Sequence, residues 1–344
     1  MFWKSTPFVV LALSLAGSVC NAQTVDPLFQ ECYSIRSLGT PTDIPGPLGG
    51  INFLPGNPNV LLVGGAANGP SGALYTLGVV RNANNIITGF SGPGVLYSTA
   101  SNIDGGVAIA PNNTIFVTTY SNHLMHQIIP GASDPASSIT LSSFGVASSV
   151  GSCQFVPPGF PGEGRLKIAS YNGGTWYDFT ISNPVGGVYT LHRDNTIEID
   201  IGGGPEGIVF VGAGNPGFRF ASCIVCEYST GIVTTYQLDS NGDPIVASRR
   251  NMISGLSGAE GGVRDPLTGS FIFSTYGGGN QIVIVEGFNR DCAANFNGDC
   301  AVDFFDYLDF VALFAAGDPE ADFNHDDIVD FFDYLDFVAS YAAC

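Results

Sequence analysis

A motif of glycine followed by alternating apolar residues recurs five times between residues 30 and 290, which limits the fold to an assembly of repeated units. The copies follow one another at intervals of about 50 residues. They read LGGINFLP from Leu48, DGGVAIAP from Asp104, VGSCQFVP from Val150, EGIVFVG from Glu206 and EGGVRDP from Glu260. A more apolar strand follows each copy, and four of these strands end in tyrosine, namely Tyr120, Tyr171, Tyr228 and Tyr276.

An interval of this length holds about four strands, which is the size of a β-propeller blade. The motif therefore predicts a mainly β fold, a β-propeller of five blades, with six as the alternative if one blade is cryptic. The last interval has room for only three strands, so residues 29–38 would supply the fourth and close the ring. A composition with 46 glycines and only 12% charged residues agrees with short strands and tight turns. The pattern resembles the secreted propellers of the NHL-like and gluconolactonase-type class.

The residue that opens each innermost strand should come to one mouth of the central channel. Three of the five equivalent residues are acidic: Asp104, Glu206 and Glu260. Carboxylates that converge repel one another unless a cation or a basic ligand joins them. The gluconolactonase-type resemblance implies a divalent metal at this end, so these acids are the candidate catalytic or metal-binding residues. The alternative is that they lie in solvent at the strand starts or cap backbone N–H groups.

A second repeat occupies the C-terminus, where DFFDYLDFVA occurs at Asp303–Ala312 and again at Asp330–Ala339. Each copy follows a run rich in Asn and Asp, and together they match the alternating oxygen ligands of a calcium loop. The predicted metal ligands are Asn295, Asn297, Asp299, the carbonyl of Ala301, Asp303 and Asp306 in the first loop, and Asp322, Asn324, Asp326, the carbonyl of Ile328, Asp330 and Asp333 in the second.

The two loops depart from an EF-hand in their closing residue and in their turn. Asp306 and Asp333 stand where the motif has glutamate, and Cys300 and Asp327 stand where it has glycine. The first loop also begins with an asparagine, Asn295, instead of a carboxylate. We therefore expect the first site to bind calcium more weakly.

A pair of loop–helix units with no helix before each loop resembles a type I dockerin module, over residues 291–344. The resemblance implies two calcium ions and docking to a cohesin-like or other extracellular protein. The docking positions would be Phe304, Phe305, Phe331 and Phe332. The alternative is that one phenylalanine of each pair packs the two helices together. The helices contain no Lys or Arg, unlike those of most cohesin-binding dockerins.

The negative charge is concentrated in this tail. Of the 30 acidic residues, 13 lie in residues 291–344, and none of the 11 basic residues does. Such a balance argues against a nucleic-acid partner, which would need a basic surface.

The N-terminus has the pattern of a secretory signal peptide. Lys4 precedes an apolar stretch from Phe8 to Ala16, and Cys20–Ala22 offers a cleavage site. No later apolar run is long enough to span a membrane. The sequence predicts a signal peptide at 1–22, a propeller at 23–290, a dockerin-like module at 291–344, and an exported protein that is extracellular or associated with the cell surface.

Cleavage would leave seven of the eight cysteines in a compartment where disulfides persist. We expect a Cys32–Cys292 bond at the ring closure and a Cys300–Cys344 bond across the tail. Cys153 would pair with Cys223 or Cys226. The odd count leaves one thiol or an intermolecular bond.

No nucleophile or base motif accompanies the acids. His123 and His126 lie three residues apart in a predicted strand and face opposite sides, which makes them poor metal ligands. Two functions remain open. One is a binding protein whose propeller recognises a glycan or small molecule and whose tail docks it. The other is a metal-dependent hydrolase or lactonase acting on carbohydrate-related substrates in a polysaccharide-degrading system.

Overall fold

In a computed structural model, the chain forms five antiparallel sheets arranged as the blades of a propeller, followed by a helical tail. The structure describes residues 23–288, 292–298, 302–324, 326 and 328–344. The prediction of five blades is confirmed, and each repeated motif forms the innermost strand of its blade. The predicted signal peptide lies outside the described residues.

Blades 1 to 4 each contain four strands in chain order, with one additional strand in blades 1 and 4, whereas blade 5 contains three such strands and takes its fourth from the N-terminal segment. Blade 1 contains Ile51–Leu54, Asn57–Gly65, Ala73–Arg81, Ile87–Phe90 and Val95–Thr99. Blade 2 contains Ile103–Ile109, Ile115–Thr119, Leu124–Ile128 and Ser137–Thr140. Blade 3 contains Val150–Phe155, Leu166–Ser170, Thr175–Ile181 and Leu191–Asp200. Blade 4 contains Pro205–Val211, Ser222–Glu227, Ile232–Gln237, Arg250–Ser254 and the N-terminal Thr24–Val25. Blade 5 contains Ala259–Arg264, Phe271–Thr275, Ile282–Glu286 and the N-terminal Ser34–Gly39.

The N-terminal segment closes the ring, as the short last interval predicts. Ser34–Gly39 pairs antiparallel with Ile282–Glu286 and becomes the outer strand of blade 5. A buried ion pair between Arg81 and Asp265, with nitrogen and oxygen 2.7 Å apart, joins blade 1 to blade 5 at the same seam. The first and last parts of the propeller therefore hold each other in place.

The glycines of the motif are needed because the innermost strands approach one another closely. A Cβ atom on Gly105 would lie 2.1 Å from the carbonyl oxygen of Glu206, and one on Gly151 would lie 2.1 Å from that of Pro205. No side chain fits at such distances. The glycines therefore bring blades 2, 3 and 4 together around the channel, and with them the acidic residues of the motif.

Apolar clusters fill the spaces between the blades. Trp176 and Tyr177 point to opposite sides of blade 3 and are both buried. Beside Trp176, the buried Lys167 amine lies 2.7 Å from a carboxylate oxygen of Asp243 and 3.1 Å from one of Asp178. This pairing of buried charges links blade 3 to a loop of blade 4.

The tail consists of two helices, α1 (Phe304–Ala316) and α2 (Phe331–Ala343), joined through a short 3₁₀ helix, Pro319–Ala321. Asp303 and Asp330 cap the helices, and each helix begins with a capping box. The rings of Phe310 and Phe337 stack with centroids 4.0 Å apart at the centre of the tail. No helix in the described part of the chain is long and apolar enough to cross a membrane.

The cysteine pairing that we expected from the sequence is wrong. Cys292 bonds to Cys344 and so closes the tail on itself, which excludes both Cys32–Cys292 and Cys300–Cys344. Cys32 is also disulfide-bonded. Cys153 on blade 3, and Cys223 and Cys226 on one strand of blade 4, are buried free thiols, so the expected pairing of Cys153 with Cys223 or Cys226 is also wrong.

Candidate functional site at the channel mouth

The acidic residues of the motif lie at irregularities in the innermost strands of blades 2, 4 and 5. The pairing register of these strands shifts within residues 103–107, 205–207 and 259–262. A bulge of this kind re-aims a side chain that regular alternation would place elsewhere. The shifts therefore account locally for the direction of Asp104, Glu206 and Glu260.

The structure brings these three acids together. Each offers a carboxylate oxygen, and the three oxygens lie within 4.8 Å of one another. The residues are only 1% (Asp104), 3% (Glu206) and 1% (Glu260) exposed, so the alternative of solvated acids is wrong. Both oxygens of Asp104, both of Glu260 and one of Glu206 have no hydrogen-bond partner among the described residues. The motif residues of the other two blades, Leu48 and Val150, are apolar and buried.

Burial dominates the electrostatics of this acid cluster. It raises the pKa of Asp104 well above its usual value, and the neighbouring Glu260 carboxyl, the Gly105 amide and Asn68 offset only part of the effect. Burial also raises the pKa of Glu206, and the charges of Asp104 and Glu260 raise it further. The pKa of Glu260 is raised by burial and then by Asp104. The cluster therefore either holds protons or needs a positive partner.

A small cavity lined by aromatic side chains opens above the cluster. It has a volume of about 270 Å³. Its walls are Asn68, Tyr120, Tyr171, Tyr228 and Tyr276, and Glu206 and Glu260 contribute the floor. The ring of Tyr228 lies edge-on to those of Tyr171 and Tyr276, with centroids 5.7 and 5.8 Å apart.

The sequence contained a signal for this aromatic wall that motif analysis did not use. Each tyrosine ends or immediately follows the second strand of its blade, and Asn68 holds a nearby place in blade 1. Strands at equivalent places in successive blades end at the same side of a propeller. The recurring tyrosine therefore marks the mouth of the channel, in the same way as the motif acids mark its floor.

The arrangement is suited to a hard cation. Oxygen atoms of carboxylates and amides are the ligands that Ca²⁺ and Mg²⁺ prefer. Asp104, Glu206 and Glu260 supply carboxylates, and the buried amide oxygen of Asn68 has no partner among the described residues. These residues fit a divalent ion. Such an ion would neutralise the acid cluster, and its remaining coordination positions would face the cavity.

The histidines take no part in this site. The Nδ1 atom of His123 accepts a hydrogen bond of 3.0 Å from the amide of Val150, and its Nε2 lies 3.0 Å from the carbonyl oxygen of Val146. The Nδ1 atom of His126 lies 2.8 Å from the hydroxyl of Ser138. Both rings therefore serve the packing of blades 2 and 3.

A larger cavity of about 750 Å³ lies at the opposite end of the channel, where the innermost strands finish. Its walls include Phe155, Phe160 and Phe210 together with Gln154 and Arg264. It contains none of the motif acids. The two channel ends therefore differ in chemistry, one acidic and narrow, the other wider and mainly apolar.

In the tail, the described part of the second loop is folded back on itself. The side chain of Asp333 accepts hydrogen bonds from the amides of Phe323 (2.7 Å), Asn324 (3.1 Å) and Asp330 (2.7 Å). The side-chain oxygens of Asp322 and Asn324 lie 3.1 and 3.0 Å from the amide nitrogen of Asp326. The described side chains Asp322, Asn324, Asp326, Asp330 and Asp333 offer hard oxygen donors, which are the ligands that a calcium site uses.

The first loop follows the same plan where the structure describes it. The carboxylate of Asp306 accepts hydrogen bonds from the amides of Asn297 (3.0 Å) and Asp303 (2.8 Å). Asn295, which would open the loop, is 1% exposed. Two of the predicted ligands, Asp299 and Ala301, lie outside the described residues.

The paired phenylalanines at the start of the helices face solvent. Phe304 and Phe305 are 61% and 63% exposed, and Phe331 and Phe332 are 62% and 63% exposed. The alternative that one of each pair packs the helices together is therefore wrong, because Phe310 and Phe337 do so.

No family model and no curated protein sequence matches this chain. Among solved structures, an auxiliary nutrient binding protein from Bacteroides ovatus is 11% identical, with 74% of this chain and 76% of that chain covered and a TM-score of 0.41. A glucose dehydrogenase is 10% identical, with 74% and 99% covered and a TM-score of 0.42. A putative 6-phosphogluconolactonase from Bacteroides uniformis is 14% identical, with 69% and 66% covered and a TM-score of 0.37. Likeness at this level carries no conclusion about function.

Proposed function

We propose that this chain is an exported binding protein whose propeller takes a cation-dependent ligand at the tyrosine-lined mouth. The observation that carries the proposal is the acid cluster, Asp104, Glu206 and Glu260, which is buried beneath an open cavity with most of its carboxylate oxygens unpaired among the described residues. Burying unpaired charge is costly, and a bound cation removes that cost. A divalent ion would supply positive charge and open coordination positions facing the cavity.

A polyhydroxylated ligand such as a glycan suits this mouth best. Neighbouring hydroxyl groups can occupy the open positions of a hard cation, whereas the tyrosine rings offer apolar faces with hydroxyl groups at their rims. The cavity accommodates a small group, such as one sugar ring, in preference to a long segment. An anionic ligand is disfavoured, because Glu206 and Glu260 form the floor.

Calcium titration calorimetry of the full mature chain tests the cation. We expect three sites in the wild type, two in the tail and one at the mouth. A Glu206→Gln, Glu260→Gln variant should lose one site and keep two. Exposed Glu31→Gln serves as the control for the loss of a negative charge. If the double variant binds as many ions as the wild type, the cation site at the mouth is refuted.

A metal-dependent hydrolase or lactonase is the second candidate, because two carboxyl groups face the same cavity. The raised pKa of Glu206 and of Glu260 is a property that a general acid needs. Hydrolysis of lactones or glycosides by the wild type but not by Glu206→Gln would favour this candidate over binding alone.

We assign the tail to docking, with a calcium ion in each loop. The exposed Phe304–Phe305 and Phe331–Phe332 pairs provide two equivalent apolar surfaces, and aromatic residues of this kind dominate the energies of protein interfaces. The partner would be an extracellular protein with an apolar groove.

A further inference from the structure

The described part of the first calcium loop contacts a connection of blade 4 in the propeller. This connection, residues 212–221, joins the strands Pro205–Val211 and Ser222–Glu227 and is called here the blade-4 loop. The Gly217 amide donates a hydrogen bond of 2.5 Å to the carbonyl of Gly298. The side-chain amide of Asn295 donates one of 3.5 Å to the carbonyl of Gly214. Two residues of the calcium loop are therefore held by the propeller backbone.

Arg219 adds a side-chain clamp to the same surface. Its guanidinium carbon lies 3.9 Å above the centroid of the Phe296 ring, within the range of a cation–π contact. One guanidinium nitrogen lies 2.7 Å from a carboxylate oxygen of Glu320, and another donates to the Glu320 carbonyl at 3.1 Å. Arg219 thus contacts both the first loop and the segment that leads to the second.

The blade-4 loop is itself rigidly held. The hydroxyl of Tyr33 donates a hydrogen bond of 2.7 Å to the carbonyl of Pro216, and Arg250 donates one of 2.6 Å to the carbonyl of Gly217. Phe218 is fully buried against Phe29. A fixed platform of this kind preorganises whatever binds to it, and a preorganised site loses less conformational entropy on binding.

The described contacts of the second loop are of a different kind. The hydrogen bonds to the carboxylates of Asp326, Asp330 and Asp333 all come from within the tail. The two loops are alike in sequence but differ in these contacts. The loop with the weaker ligand set, which begins with Asn295 in place of an aspartate, is the supported one.

We propose that the blade-4 loop positions the ligands of the first calcium site. It fixes the Asn295 amide and the Phe296 ring, and so keeps the first calcium loop in the conformation that binds the ion. The inference rests on the proposed binding of calcium in the tail. Residues that orient a metal ligand from behind commonly change metal affinity by roughly 10- to 100-fold when they are removed. Arg219 is accordingly a positioning residue for calcium, although it carries a positive charge and cannot bind the ion.

Calcium titration of the full chain tests this assignment. The background carries Glu206→Gln and Asp322→Ala, so that the first loop is the site that remains. We expect Arg219→Ala in this background to weaken that site by roughly tenfold. In the complementary background, with Glu206→Gln and Asn295→Ala, Arg219→Ala should weaken the second site much less than it weakens the first, because among the described residues Arg219 contacts only Glu320 ahead of that loop.

Arg193→Ala is the matched control. Arg193 also lies over an aromatic ring, that of Tyr177 at 4.6 Å, and also forms a 2.7 Å ion pair, with Glu198, but in blade 3. Its loss should leave both calcium sites unchanged. Equal losses at Arg219 and Arg193, or no loss at Arg219, would overturn the inference.

A second variant acts on the contact by steric exclusion. A Cβ atom on Gly214 would lie 1.6 Å from the carbonyl oxygen of Cys292, so Gly214→Ala should push the first loop off the propeller. We expect faster amide exchange in residues 292–298 and the same loss of first-site affinity. If the amides of residues 292–298 exchange faster in this variant while the calcium affinity of the first site is unchanged, the inference is refuted. If the wild type binds no calcium in the tail, the proposed function of the tail fails first.

Discussion

Two groups of buried acids in this molecule have opposite surroundings. Asp333 in the tail accepts three backbone hydrogen bonds, whereas Asp104, Glu206 and Glu260 in the channel are buried with most of their oxygens unpaired. Burial raises the pKa of Asp333, but the amides of Asp330, Asn324 and Phe323 together lower it below its usual value. In the channel, burial prevails and the pKa of each acid is raised.

The comparison shows that burial alone does not define the role of an acid. A carboxylate that is surrounded by N–H donors completes the local structure and is satisfied as an anion. A carboxylate that is buried without donors destabilises the fold unless something else binds there. The first kind stabilises the local backbone, and the second kind is a signal for a ligand.

The largest expected effect comes from removing the satisfied acid. Asp333→Ala would leave three part-buried amides without an acceptor and break the capping box of α2, at a cost of about 2–3 kcal/mol to the tail. The measurement is the protease resistance of the tail in the presence of chelator. The exposed Asp336, on the same helix, provides the control, since Asp336→Ala should have almost no effect. A tail that resists protease equally in both variants would contradict this account of Asp333.

Removing one unsatisfied acid should have the opposite sign. Without cation at neutral pH, Glu206→Gln relieves repulsion and desolvation, and we expect about 1–2 kcal/mol of added stability. Added calcium should stabilise the propeller of the wild type but not that of the variant, because only the wild type should bind an ion at the channel mouth. Urea unfolding followed by Trp176 fluorescence measures both effects. A destabilised Glu206→Gln protein in chelator would show that the channel acids are satisfied after all.

The sequence predicted the propeller well because its information is periodic. Five motifs specified five blades, and the incomplete last interval indicated that the N-terminal segment, observed as Ser34–Gly39, would close the ring. Equivalent positions in repeated units come together by construction. The meeting of Asp104, Glu206 and Glu260 follows from the same periodicity.

Contacts between non-equivalent segments could not be predicted in this way. The Cys292–Cys344 bond depends on the two ends of the tail meeting, and the seat of the first loop on Gly214 and Arg219 depends on a connection far away in sequence. The sequence repeat does not relate these residues to one another. Their pairing is decided by the packing of the tail against blade 4, which sequence spacing does not encode.

The pH dependence should also differ between the two regions, in chelator. The folded propeller binds more protons than the unfolded chain, so its stability falls as the pH rises above the usual carboxyl pKa of about 4. The folded tail binds fewer protons through Asp333, so its stability falls as the pH drops below about 4. Each proton contributes at most about 1.4 kcal/mol per pH unit.

Separate probes distinguish these two slopes. Trp176 fluorescence follows the propeller, and protease resistance follows the tail. The Glu206→Gln, Glu260→Gln variant should flatten the slope of the propeller and leave that of the tail unchanged. If the stability of the propeller and that of the tail changed with pH in the same direction, the two groups of acids would not differ as proposed.

The smallest effect on stability is expected where the tail faces outwards. Phe305→Ala together with Phe332→Ala should change the free energy of unfolding by no more than about 0.5 kcal/mol, because both rings are mainly exposed. Phe337→Ala, which empties the stacked centre, should cost about 3–5 kcal/mol. Urea unfolding gives these values, and the apparent mass of the protein in light scattering reports self-association through the exposed rings. The exposed rings of the tail and the unpaired acids of the channel are alike in that neither is satisfied by the fold itself. If the loss of Phe305 and Phe332 destabilised the fold as much as Phe337→Ala does, these rings would belong to the core. They could then not form the proposed docking surface.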